Sequence, residues 1–342
     1  MLQARIRPLP RRPTANPPSS PSTSAPPPSF DTPSFDDDSD EDPEDLFGTF
    51  LPHLFPDDAP SFHGDPGKHL LYASPRYGDL TIMVPSYPGQ NEYRSKEVEV
   101  GLLDENGVNK VDEGRKLFAH FLWSAGMVVA EGVEKAASDG DAGSDADMWR
   151  VKGERVLELG SGAGLPSIIS ALAQASAVTI TDHPSSPALL EGGAVLSNIK
   201  YNIHPSSTCK INIRPHEWGT LGDDPWALET KSAYTRIIAA DCYWMPSQHE
   251  NLARTMKWFL APGGAIWVVA AFHTGRPIVA GFFETAVKMG LSIETIFERD
   301  LNSSTDDGEE VRREWVSERE GEGLENRRRW CVVAVLRHEF DS

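Results

Sequence analysis

The chain has 342 residues and a formal net charge of −19. That length suits one catalytic-size domain with appendages, and that charge excludes nucleic acid as a direct ligand, because neutralising phosphates takes a basic face. No apolar run approaches the roughly 20 residues of a membrane helix, which argues against a membrane partner, and the opening MLQARIRPLPRRP lacks the apolar core of a secretion signal.

Residues 1–67 read as a disordered tail, Pro/Ser-rich first and acidic afterwards. From Asp31 to Asp58 there are eleven carboxylates, and no Lys or Arg lies between Arg12 and Lys68. Such a block repels itself and works as a solubilising tail or as an arm for a basic partner. Residues 68–148 form an N-terminal extension: short strands and turns over 68–103, an amphipathic helix over 116–136 (KLFAHFLWSAGMVVAEGVEKA), then a turn-rich surface loop.

Residues 149–342 are the core. The spacing predicts strands at 155–159, 177–182, 210–218, 236–241, 265–272, 291–298 and 330–338. Helices are expected at 165–175, 187–203, 249–260 and 277–290 between them. Strands alternating with helices imply an α/β, Rossmann-like, doubly wound seven-stranded sheet that binds ligands at the carboxyl ends of its strands. No apolar helix separates the last two strands, so the seventh is expected to run antiparallel beside the sixth. The charged stretch 300–329 reads as an exposed loop or frayed hairpin extension.

The first core strand runs into ELGSGAGLPS, with Gly160, Ser161, Gly162 and Gly164 in its turn. The glycines are one residue too close for a dinucleotide fingerprint, and no Lys follows them as a phosphate loop requires. Glu158, two residues before Gly160, would repel a pyrophosphate but accept a hydrogen bond from an ammonium. Asp182 closes the next strand, where a carboxylate accepts ribose hydroxyls. An amino acid joined to adenosine without phosphate meets both demands, which points to S-adenosyl-L-methionine.

With Glu158–Gly164 and Asp182 in place, the sequence resembles class I, seven-strand S-adenosylmethionine-dependent methyltransferases. FLWSAG (121–126), ELGSGAGLPSI, HEWG (216–219) and AADCYW (239–244) are together similar to the protein lysine and N-terminal methyltransferases that act on translation elongation factors. More narrowly they resemble the fungal branch labelled nicotinamide N-methyltransferase-like, over residues 68–338. The resemblance implies a cofactor site of Trp123, Glu158, Gly160, Ser161, Gly162, Gly164, Asp182, Trp218 and Ala240, with Trp123 on a lid helix and Trp218 on or beside adenine. It also implies an acceptor site at Asp241, Tyr243 and Trp244, where Trp244 stands in the place of the family's usual Tyr. There Asp241 would orient the acceptor amine and the two rings would hold it by cation–π attraction.

The resemblance makes a protein amine the expected acceptor and an elongation factor the expected partner. A nicotinamide-like small molecule and a non-catalytic cofactor-binding scaffold are the alternatives. His216 and His273 read as hydrogen-bonded loop residues. His204, His249 and Cys242 lack ligand spacing, so no metal is expected. The three cysteines form no disulfide framework, which fits a reducing compartment. A cytoplasmic monomer is expected.

Overall fold

Five apolar runs become five adjacent parallel strands, and their order decides where a ligand can sit. The computed structural model describes residues 2–9, 62–86, 121–137, 147–304 and 310–339; the acidic run 31–58 and residues 116–120 of the expected first helix lie outside them.

Taken in chain order, the strands are β1 (Ile6–Pro8), β2 (Phe62–His63), β3 (His69–Ser74), β4 (Gly78–Met83), β5 (Leu122–Trp123), β6 (Arg155–Leu159), β7 (Ala177–Asp182), β8 (Lys210–Pro215), β9 (Tyr234–Ala240), β10 (Leu260–Ala271), β11 (Leu291–Ser304), β12 (Glu310–Glu314) and β13 (Trp330–His338). The helices are α1 (Ser124–Ala136), α2 (Leu165–Leu172), α3 (Ala194–Asn202), α4 (Pro225–Glu229), α5 (His249–Phe259), α6 (Arg276–Lys288) and α7 (Leu324–Arg329). The main sheet runs β12-β11-β13-β10-β9-β6-β7-β8. Strands β6 to β10 are parallel, and β13 lies antiparallel between β10 and β11. The seven expected strands are all present; β12, drawn from the charged stretch, adds an eighth at the edge.

Alternation along the strands builds a core on each face. Val156, Ile238, Val269 and Val333 face one way, with Met127 and Val128 of α1 and Ile168 of α2. Leu157, Ile237, Val268 and Val332 face the other, with Phe259 of α5 and Phe282 of α6. These cores hold the carboxyl ends of β6, β7, β9 and β10 level, so that the strand order reverses between β6 and β9 beside the glycine turn.

Among the departures from the sequence pattern, three concern elements around the site. Residues 2–9, read as part of the tail, form a short 3-10 turn (Gln3–Arg5) and β1, which pairs with β3 while Leu2 is buried. The expected 187–203 helix is split into a 3-10 turn at Pro187–Leu189 and α3. Gly192 there has φ +78°, and a Cβ on Gly193 would lie 2.5 Å from the Pro187 carbonyl, so the chain must bend. Helix α1 starts at Ser124, because Leu122 and Trp123 pair as β5 with Phe62–His63. Among the described residues no helix is long and apolar enough to cross a membrane.

Candidate functional site

The turn between β6 and α2 is built from left-handed backbone. Gly160, Gly162 and Gly164 have φ of +66°, +51° and +71°, a region that side chains with a Cβ rarely enter. The turn is tied to β7: the Ser161 N–H donates to the Thr181 carbonyl at 3.0 Å, and the Gly162 N–H donates to Asp182 Oδ2 at 2.9 Å. Asp182 Oδ1 accepts from the His183 N–H at 2.7 Å. Its carboxylate lines the cleft, where it can accept from a ribose hydroxyl.

Glu158 is the penultimate residue of β6 and is 2% exposed. Its Oε2 accepts from the Ser167 N–H at 3.2 Å. Burial, with Asp182 adding like charge, pushes its carboxyl up to about 8 against the pull of the Ser167 bonds. Nearby, the Ser161 hydroxyl is buried with no hydrogen-bond partner among the described residues. Unused hydrogen-bonding capacity beside a buried carboxyl suits the charged amino-acid end of a ligand.

At the end of β9 the chain kinks, since Asp241 has φ +53°. Its Oδ1 accepts from the Ala271 N–H at 2.9 Å, and the nearby backbone amide of Ala125, in the first turn of α1, pulls its carboxyl the same way. Burial nevertheless pushes Asp241 up to about 7. Asp241 thus joins the ends of β9 and β10 while lining the cleft.

The kink separates its followers. Cys242 and Trp244 line the cleft. Tyr243 does not: it is 1% exposed, its hydroxyl donates to the Ala239 carbonyl at 2.7 Å, and its ring packs 4.4 Å from Phe282 in the core. Of the expected aromatic pair, Trp244 reaches the site and Tyr243 supports it from behind.

A cleft of about 730 Å³ is lined by Gly160, Gly162, Asp182, Trp218, Asp241 and Trp244, among others. A recess of about 340 Å³ adjoins it, bounded by Glu158, Ser161 and Pro166. Phe121, Trp123 and Ala240 border both. Gly164 stands behind the turn, where its amide donates to the Ser161 carbonyl at 2.7 Å.

Sequence reasoning missed Phe121, His183 and Met245, and it read His216 as a loop residue although it too lines the cleft. Adjacency to Trp123, Asp182 and Trp244 was the available signal. His216 is buried and its Nδ1 lies 3.5 Å from Asp224. His273 stacks on Trp123 at 4.6 Å between centroids, and burial holds its imidazole down to about 4.

Among the described residues neither pocket is lined by a Lys or Arg, whereas Glu158, Asp182 and Asp241 line them. Low-dielectric carboxyls and aromatic faces favour a cation. S-adenosylmethionine, a sulfonium with an ammonium and a ribose, fits these groups. Glu158 and Ser161 would hold its amino-acid end, Asp182 its ribose, and Trp218 its base.

The sheet, the glycine turn and this cleft define a class I S-adenosylmethionine-dependent methyltransferase. The chain belongs to the lysine methyltransferase family, whose model matches residues 103–288. It is similar to the protein N-terminal and lysine N-methyltransferase EFM7 of Yarrowia lipolytica, 26% identical over 211 residues that cover 55% of this chain and 71% of the relative. The proteins of the same name from Aspergillus fumigatus and Schizosaccharomyces pombe are 29% and 28% identical, over 58% and 63% of this chain and 76% and 80% of theirs.

Proposed function

We propose that the enzyme methylates a protein amine, a lysine side chain or an N-terminal α-amine. The observation that carries this reading is a cleft with inward carboxyls, aromatic walls and, among the described residues, no Lys or Arg in its lining. The relatives' names, protein N-terminal and lysine N-methyltransferase, support the same acceptor class. An elongation factor, implied by the resemblance in the sequence, is the proposed partner, and the cytoplasm the proposed compartment.

When bound, S-adenosylmethionine supplies an activated methyl group for in-line displacement by a neutral nitrogen. The protein's part is alignment, water exclusion and handling of the acceptor's proton. Trp244 would hold the incoming ammonium against its face, and Trp123 and Phe121 would close the cleft beside it. Asp241, half-ionised near neutral pH, would accept a hydrogen bond from the amine and orient its lone pair as solvent takes the proton.

The purified chain is to be incubated with methyl-labelled S-adenosylmethionine and a cell extract, and the label divided between macromolecular and small-molecule fractions. Label in a discrete protein band is expected. Label confined to small molecules would replace the protein acceptor by a heterocycle, and bound cofactor with no transfer would leave a scaffold.

A narrower prediction concerns the acceptor wall. Trp244→Ala is expected to lower kcat/KM for the acceptor about tenfold, the loss of roughly 1–2 kcal/mol of desolvated cation–π attraction. The Kd for S-adenosylmethionine should stay within about twofold by calorimetry; an equal weakening of cofactor binding would move Trp244 from the acceptor to the cofactor.

A further inference from the structure

Helix α1 is buried at every position from Ser124 to Glu134, and two of those positions are carboxylates, Glu131 and Glu134. Charges in such a place persist only with partners. One partner comes from the far end of the chain. Arg5 Nη2 donates to Glu131 Oε1 and Nη1 to Glu134 Oε2, each at 2.8 Å. Glu131 also pairs with Arg299, and Glu134 accepts from the Tyr72 hydroxyl at 3.3 Å, but it is Arg5 that bridges the two carboxylates.

Arg5 is itself held. Ile6, Arg7 and Pro8 pair with Tyr72, Leu71 and Leu70, and Leu2 is buried with its N–H on the Leu301 carbonyl. The matched family model begins only at residue 103, so this strap lies outside it.

The other end of α1 faces the cleft. His63 Nε2 lies 3.1 Å from Ser124 Oγ, and Gly126 of the first turn lines the recess. Trp123, just before the helix, borders both the cleft and the recess. Eight residues separate Trp123 from Glu131, about 12 Å along a rigid axis. A bidentate arginine at one end therefore fixes where the tryptophan stands at the other.

We infer that Arg5 is a positioning residue for methyl transfer, setting the axial place of α1 and through it the place of Trp123 at the cofactor cleft. The inference rests on the reading that Trp123 borders bound cofactor. Arg5 touches no reacting group; it acts at a distance through one helix.

The test uses the full chain and S-adenosylmethionine itself, with Kd from calorimetry, KM and kcat from turnover, and Tm recorded alongside. Trp123→Ala and Arg5→Ala are each expected to raise Kd and cofactor KM about tenfold, with kcat at saturation within about twofold. Arg5→Lys, which can satisfy one carboxylate at a time, should raise Kd about threefold. Arg7→Ala, whose ion pair with Asp79 is exposed, should leave Kd unchanged. Because Arg5 works through Trp123, the Arg5→Ala/Trp123→Ala double variant should bind no more weakly than Trp123→Ala.

If Arg5→Ala lowers Tm but leaves Kd within twofold while Trp123→Ala raises it, or if the two effects add, the positioning role is overturned and the cleft reading stands. If Trp123→Ala leaves Kd unchanged, the cleft reading fails and takes the inference with it. Should Arg5→Ala not fold, Glu134→Gln carries the same measurement, with the same expected rise and the same overturning result.

Discussion

Glu158→Gln is expected to raise the Kd for S-adenosylmethionine about 30-fold at pH 7, with a gap that widens at pH 8.5 and narrows at pH 6. The substitution keeps the shape and removes the charge. A hydrogen bond to a charged partner contributes about 1.5–3 kcal/mol, and each 1.4 kcal/mol is a factor of ten. Part of that gain is offset at pH 7, because the buried carboxyl of the unliganded protein, pushed up to about 8, must first give up its proton.

The sign follows from linkage. In the unfolded chain Glu158 titrates near 4.5, and in the folded unliganded protein near 8. Below about 4.5 both states hold the proton and the contribution to stability is fully present. As pH rises from there to about 8 the unfolded chain sheds a proton that the native state keeps, so the contribution is lost. An ammonium bound at Glu158 reverses the preference, so binding releases a proton and tightens with pH up to about 8. Calorimetry at pH 7 in buffers of different ionisation enthalpy should show proton release for the parent chain and less for Glu158→Gln. Equal release by both, or a Kd within threefold, would remove Glu158 from the ammonium site.

Glu158 was legible because its meaning is local: a carboxyl at a strand end, two residues from a glycine turn, with Asp182 closing the next strand. The sheet was legible for the same reason, since period and punctuation fix each strand within a few residues. Residues 2–9 were not. Their composition is that of a tail, and what orders them is Tyr72, Glu131, Glu134 and Leu301, all remote in sequence. Trp123 looked helical because apolar spacing continues through it, yet its pairing with Phe62 holds it extended. Tyr243 was assigned to the wrong side of the strand end, because nothing in DCYW announces that Asp241, not a glycine, takes the left-handed kink that reverses the alternation.

Gly160→Ala tests the turn more severely than any charge change. The left-handed backbone alone costs an alanine roughly 1–2 kcal/mol, and the new Cβ would sit 2.8 Å from Cys242 Sγ and 3.3 Å from Trp218 Cζ2. Cys242 cannot easily retreat, because it is buried with its thiol on the Leu159 carbonyl at 3.1 Å. Overpacking of this kind adds roughly 1–3 kcal/mol, and relief by moving Trp218 would displace the proposed base-stacking wall. The variant should lose about 2–5 kcal/mol of stability in denaturant unfolding and bind S-adenosylmethionine at least about 100-fold more weakly. Gly162→Ala separates the two causes, since Gly162 has φ +51° but nothing within 4 Å of an added Cβ. It should show the backbone penalty without the clash. Cys242→Ala in the Gly160→Ala background should recover roughly the clash and leave the backbone strain, a coupling of about 1–2 kcal/mol in a double-mutant cycle. Equal losses at Gly160 and Gly162, with no recovery from Cys242→Ala, would mean that the dihedral alone makes glycine necessary there, and that the contact between the turn and the end of β9 contributes little to the site.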